Sequence, residues 1–227
     1  MENKEYKLNL WKEFMEKDAE ITKMEKEVLG EIAAQYKEDT SFLMNVYKCF
    51  IENGQFLMDE DKQVSYEKRQ EWYMLSNGDQ KICLEKDQFR KILISMLDIL
   101  EDTLPLGTVV DLKKDIYKAT PEMPEVENIR MVITHRFLGR EEDTYYYPYG
   151  GIVYPTGMLG RKEILYFTRS AVERVMQRGY QDEQEEVFVY LMKKDLIIDG
   201  GGNSLGYATR EEIEKRNRAF REEQGDE

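Results

Sequence analysis

One run constrains this chain more than any other stretch: Tyr145-Tyr146-Tyr147-Pro148-Tyr149-Gly150-Gly151-Ile152-Val153-Tyr154-Pro155-Thr156-Gly157-Met158-Leu159-Gly160. Aromatic and β-branched side chains suit a pleated, half-buried surface, and Pro and Gly interrupt them at short intervals, which is the pattern of short strands joined by tight turns. Pro148 implies a bend or an edge position, because it has no N–H for a ladder. Pro155-Thr156-Gly157 reads as a turn. Further strands are expected at Gly107–Val110, Met131–Phe137 and Glu163–Phe167, with a loop over Lys113–Asn128 carrying Pro121 and Pro124, and a turn at Gly139–Asp143. Ser170-Ala171-Val172-Glu173 has the spacing of a capping box and predicts a short helix with Val172, Val175 and Met176 inward and Gly179 at its end. Val187–Met192 fits a last strand or a short buried helix equally well. Together these segments predict a small α+β module over residues 103–193, mostly antiparallel, with one capped helix.

The region before it, residues 1–102, reads as mainly helical. Leu10, Phe14, Ile21, Met24, Val28 and Ile32 recur at three-, four- or seven-residue spacing, which predicts one long amphipathic helix from Lys7 to Tyr36. Lys17 falls on the apolar stripe, and Gly30 weakens the last turns. Asp39-Thr40-Ser41 caps a second helix with Leu43, Val46, Tyr47, Phe50 and Ile51 on one face, stopped by Gly54. Gln55–Gln70 is charged and has no clear period. A hairpin is expected near residues 71–84, turning at Asn77-Gly78. Asp87 caps a third helix, where Phe89, Ile92, Leu93, Met96, Leu97 and Leu100 form the cleanest stripe in the chain and Pro105 ends it. After the module, residues 194–227 read as a Gly-rich flexible loop, Gly200–Gly206, and a charged helix opening at Thr209.

Composition excludes several functions. The chain has 227 residues and a formal charge of −13 with no basic run, so a phosphate backbone would be repelled and nucleic acid is not an expected partner. No apolar stretch approaches a membrane span and the N-terminus lacks a signal pattern, so a cytoplasmic protein is expected. Cys49 and Cys83 read as small buried hydrophobes in a reducing compartment.

His135 is the only histidine, and its strand context beside Arg136 favours a structural role over a Ser-His-Asp or Cys-His site. One His and two distant Cys do not make a zinc site. Gly200–Gly206 fails the dinucleotide pattern because Leu205 stands at the last glycine position, and it fails the phosphate-loop pattern because Tyr207 and Ala208 follow Gly206. Asp182–Glu186 reads as a solvated charge run. The tyrosines, without basic neighbours, suit core packing or a protein contact better than base stacking. No catalytic residue, cofactor or metal is expected.

The blocks Leu104-Pro105-Leu106-Gly107-Thr108-Val109-Val110, Met131-Val132-Ile133, Tyr149-Gly150-Gly151-Ile152-Val153-Tyr154-Pro155-Thr156-Gly157, and Gly179-Tyr180-Gln181-Asp182-Glu183-Gln184-Glu185-Glu186-Val187-Phe188 resemble, in that order, a bacterial family, the domain of unknown function four-one-seven-six. His135-Arg136 replaces the family's usual Gly-Arg, Thr156 stands where Glu is typical, and the 113–128 loop is long. The resemblance implies an accessory role in Gram-positive type VIIb secretion or its LXG-type toxins, as a cytoplasmic adaptor or chaperone for an exported partner. Tyr149, Tyr154, Pro155, Gly157, Gly179 and Tyr180 are the residues through which the resemblance implies protein contact, against a plain role in turns and core. An immunity protein neutralising a basic toxin is the alternative, and a carboxylate-dependent hydrolase the third reading.

Overall fold

The structure, a computed structural model, describes residues 5–113, 129–139, 145–159, 164–208 and residue 212. The chain is α+β and divides into two units: residues 1–102 with 186–201, and residues 103–185 with 202–227. The expected 114–128 loop, most of the turn after Gly139, Gly160, Glu163 and the helix from Thr209 lie outside the described residues.

In the first unit the single long helix is two helices, α1 (Glu5–Lys17) and α2 (Lys23–Tyr36). Thr22 makes the break. Its hydroxyl accepts the Glu25 N–H at 3.3 Å, and the Glu25 carboxylate takes the Thr22 N–H at 2.9 Å, a reciprocal cap that starts a new helix. Lys17 interrupts the stripe because α1 ends there, its ammonium bonding the Ile198 carbonyl at 3.1 Å and the Asp199 carboxylate. The restart shifts the phase, so Met24 is exposed while Leu10, Phe14, Ile21, Val28 and Ile32 are buried.

Helix α3 (Ser41–Ile51) starts beside Asp39, whose carboxylate accepts the Ser41 N–H at 2.9 Å. Leu43, Val46 and Phe50 are buried, but Ile51, in the last turn, is exposed. Asn53 takes the left-handed conformation at φ 60°, and the Gly54 N–H reaches back to the Cys49 carbonyl at 2.7 Å. A Cβ on Gly54 would meet the Cys49 carbonyl oxygen at 3.2 Å and the Cys49 sulfur at 2.4 Å, so glycine fits the stop without displacing that side chain.

A four-stranded antiparallel meander follows: β1 (Phe56–Asp59), β2 (Val64–Arg69), β3 (Trp72–Asn77) and β4 (Gln80–Glu85). The expected hairpin is β3–β4, but Asn77 pairs with Gln80 and the two-residue loop is Gly78-Asp79. Only Gly78 has positive φ, at 58°, which fits a turn with glycine first rather than an Asn-Gly turn. Asn77 instead bonds α2, accepting from Gln35 at 2.9 Å and donating to Glu31 at 2.7 Å. Strands β1 and β2 hide in the charged segment because only Leu57, Val64 and Tyr66 point inward, Val64 and Tyr66 between polar neighbours and Leu57 between apolar ones that face outward. Cys83 is exposed, correcting its expected burial, since Ile82 and Leu84 take the inward positions of β4. Cys49 is half-buried, and burial raises its thiol pKa.

Helix α4 (Lys86–Leu100) buries every residue of its expected stripe and also Ile94, Ser95, Asp98 and Ile99. A helix buried all round is the centre of its unit. Glu85 precedes it and Asp87 lies within the first turn, so Asp87 is not the cap. The far end of α4 is closed by Lys193, the last residue of α5 (Glu183–Lys193). Its buried ammonium donates to the carbonyls of Asp98, Ile99 and Glu101 at 2.8, 3.1 and 2.6 Å, satisfying helix-end acceptors that have no intrahelical partner. Burial, and next the charge of Lys7, lower its pKa to about 8. A π-helical stretch, Lys194–Asp199, follows.

The second unit is built on β5 (Val109–Leu112), β6 (Ile129–Leu138), β7 (Tyr145–Val153), β8 (Leu165–Phe167), β9 (Val172–Gln177) and β10 (Asn203–Ser204). The order is β10-β7-β6-β5-β9, with β8 also on β7, and every pairing is antiparallel except β10 on β7. Leu104, Val110, Leu112, Met131, Ile133, Tyr149, Phe167, Ala171 and Val172 form its core. Pro148 is not at an edge. It falls between the two short partners on that side of β7, with β10 opposite Tyr145-Tyr146 and β8 opposite Tyr149–Gly151.

The helix expected after Ser170 is a 3₁₀ turn, Arg169–Ala171, followed by β9. Its helix-like spacing comes from two bulges. Leu112 pairs Val172 but Asp111 pairs Arg174, and Val110 pairs Val175 but Val109 pairs Gln177. Each bulge adds one residue, so Val172 and Val175, three apart, both face the core of a strand. Val187–Met192 is helical, within α5. The Gly200–Gly206 segment is not a plain loop either: Asn203-Ser204 is β10, and Leu205 and Tyr207 of the following 3₁₀ turn are buried.

Candidate functional site

Polar contacts tie distant segments of the second unit together in three places. At the first, Thr108 is fully buried; its hydroxyl donates to the Pro105 carbonyl at 2.7 Å and accepts the Gly179 N–H at 3.0 Å. The turn is pinned further by Gly107 N–H on Ile133 O at 2.8 Å and Ile133 N–H on Thr108 O at 2.9 Å. Gly107 has φ 77°, a left-handed value that favours glycine. Gly179 is glycine for another reason: a Cβ there would lie 1.9 Å from the Leu106 carbonyl oxygen.

At the second, Arg136 on β6 grips Glu185 in the first turn of α5 with both guanidinium arms, Nη2 to Oε2 at 2.9 Å. The side chains are 3% and 15% exposed, so this is a buried, two-pronged ion pair. Asp182 accepts the Glu185 N–H at 3.0 Å and so caps the helix. The acidic run is therefore only partly solvated. Its fourth residue is an anchor and its first a cap.

The third is a row across the sheet. Asp111 on β5 is buried and accepts Arg130 of β6 at 2.7 and 3.2 Å and Arg174 of β9 at 3.0 Å. All three are directly opposed in register, on the face away from the core. The Arg130 hydrogen bond, then that of Arg174, hold the Asp111 pKa below its ordinary 3.8 against the opposing effect of burial. Because the folded pKa is depressed, this stability is present in full above the ordinary carboxylate range and is lost as pH falls through the folded value. Asp111→Asn is expected to cost about 1–2 kcal/mol at neutral pH, discounted because both arginines can rehydrate, and to flatten the acid limb of a urea-unfolding series across pH. An acid limb as steep as in the unsubstituted chain would refute the assignment.

The six residues singled out for contact divide into two kinds. Tyr149 is core: its ring lies tilted against that of Phe167 with centroids 5.6 Å apart, and its hydroxyl accepts the buried Leu104 N–H at 3.0 Å. Gly179 is the close approach just described. Gly157, at φ 58°, and Pro155 shape the turn after β7, where the Gly157 N–H meets the Val153 carbonyl at 2.7 Å. Tyr154 and Tyr180 have exposed side chains. Tyr154 extends the arginine row, its N–H on the Arg130 carbonyl at 2.8 Å. Sequence reasoning missed Arg136, Glu185, Asp111, Arg130 and Arg174. An acidic residue alternating with apolar ones in Val109–Leu112 was the available signal for Asp111.

With this geometry in place, residues 103–188 match the family model described as Domain of unknown function (DUF4176). That segment, under half of the chain, is similar to the DUF4176 domain. No curated protein and no solved structure matches the chain. Within the matched segment the turn before β5 is tied to Gly179 by the Thr108–Gly179 bond, and β6 to the start of α5 by the Arg136–Glu185 pair. His135 lies exposed at the bulge between β6 and β7, its Nδ1 2.9 Å from the Thr134 hydroxyl. Among the described residues no three His, Cys, Asp or Glu side chains converge as a metal site. Likewise no described helix is long and apolar enough to cross a membrane.

Proposed function

We propose that the protein is a non-catalytic accessory of a type VIIb secretion or toxin system, an adaptor or chaperone that binds an exported protein partner in the cytoplasm. The secretion setting rests on the family resemblance. The observation that supports protein binding is the turn after β7, where Tyr154, Met158 and Leu159 are all exposed, Leu159 at 83%. Motif residues with buried side chains close the matched segment, whereas these large apolar ones face solvent, as on a surface that a protein partner covers. Tyr180, also exposed, extends the same segment's apolar surface.

The test is affinity purification of the tagged full chain at native expression, beside a Tyr154→Ala/Leu159→Asp variant. A stoichiometric exported protein, held through its export end and lost with the variant, is the expected result. Capture through a toxic domain, with rescue of poisoned cells, would replace the adaptor by an immunity protein. A chain that purifies alone at every salt concentration overturns both.

A further inference from the structure

The outer face of the β1–β4 meander is a second interaction surface, in the unit outside the DUF4176 match. Its inner face is occupied by α2, α3 and α4. The register places the outward residues in three rows: Arg69, Trp72 and Glu85; then Phe56, Glu67, Met74 and Cys83; then Met58, Ser65, Ser76 and Lys81. Five of these side chains are apolar or thiol. Phe56, Met58 and Trp72 are 57%, 49% and 46% exposed, and Cys83 is exposed beside them. A solvated antiparallel face ordinarily alternates to polar residues, and a sheet with apolar residues on both faces is the middle layer of a stack.

Charge chooses the occupant. The chain carries −13 overall, so two copies repel wherever acidic surfaces meet. This face is different: Glu67 and Glu85 are balanced by Arg69 and Lys81, and the Arg69 Nε bonds the Glu67 carboxylate at 2.7 Å within it. A neutral face with both signs dispersed among apolar residues is complementary to itself under a two-fold axis, whereas a basic partner would be met by an acidic surface. We propose that the protein forms a two-fold homodimer by packing this sheet face on the same face of a second copy, with Phe56, Trp72 and Met74 as the buried anchors. The two sheets would lie about 10 Å apart, the spacing of a β-sandwich. This inference does not depend on the proposed secretion role, which uses the other unit.

Sedimentation equilibrium of the reduced full chain tests it. The expected mass is twice 27.0 kDa at micromolar concentration. Phe56→Glu/Met74→Glu is expected to weaken the dimer by at least about tenfold, because like charges then meet at the centre of the contact. Both side chains point away from the unit's core, so far-UV circular dichroism and the unfolding midpoint of the dissociated chain should be retained. A wild-type chain that stays at 27.0 kDa overturns the proposal, as does a dimer that the double variant leaves intact. A monomer that loses a different co-purifying protein on this double substitution would assign the face to a foreign partner and equally overturn it.

Discussion

Glu185→Ala is expected to cost about 3–5 kcal/mol, because it takes the two-pronged acceptor away from a charge whose side chain stays largely desolvated. Arg136 keeps its charge with a side chain only 3% exposed, so water replaces little of what Glu185 supplies. An exposed pair gives the scale. Lys12 and Glu16 on α1 lie 3.9 Å apart with both side chains in water, and Glu16→Ala should change stability by no more than about 0.5 kcal/mol. Replacing both partners, as Arg136→Met/Glu185→Leu, should recover much of the loss, since the penalty belongs to the charge left without Glu185 rather than to the absence of the pair. Urea unfolding of the three variants beside the parent measures all of this. Equal costs for Glu185→Ala and Glu16→Ala would show that Arg136 is solvated, and the anchor would be lost from the description.

Gly179→Ala is expected to cost about 3 kcal/mol, at the upper end for overpacking by a single methyl. The added Cβ would sit 1.9 Å from the Leu106 carbonyl oxygen and 3.0 Å from the Thr108 nitrogen, both backbone atoms that cannot swing aside like a side-chain end. Relief requires the chain after β9 to move off the turn before β5, which breaks the Gly179–Thr108 hydrogen bond and leaves a buried hydroxyl half-satisfied. Gly157→Ala is the comparison. Its obstacle is the positive φ of 58°, since a Cβ would meet only Ile152 Cδ1 at an ordinary 3.9 Å, and its cost should be about 1 kcal/mol. Thermal unfolding separates the two, and a Gly179→Ala variant as stable as Gly157→Ala would remove the close approach from the argument.

The candidate contact residues show how far a linear reading reaches. Gly157 and Pro155 shape a turn, as their residue types announce, because a left-handed φ or a fixed ring acts locally. Tyr149 and Tyr154 look alike in sequence and have opposite fates. Tyr149 meets Phe167 across β8 and Leu104 from the other end of the domain, while Tyr154, just past the end of β7, has a side chain that faces solvent. Arg136 and Glu185 are 49 residues apart, and nothing local distinguishes Glu185 from the acidic residues around it. The break at Thr22 was legible in Thr22-x-x-Glu25, but the apolar spacing on either side spoke for continuity.

The sequence by itself determined those features that depend on a residue and its near neighbours. These are the α+β class, the apolar stripe of α4, the hairpin at Gly78, the turn at Gly157 and the DUF4176 resemblance across separate blocks. Tertiary structure decided what depends on pairing between distant segments. Val172 and Val175 are spaced as in a helix, yet they form a bulged strand, because β5 offers a ladder and a core that a short isolated helix lacks. The same holds for the buried charges Asp111, Arg136, Glu185 and Lys193: a charge reads as surface in one dimension, and only its partners' positions make burial tolerable.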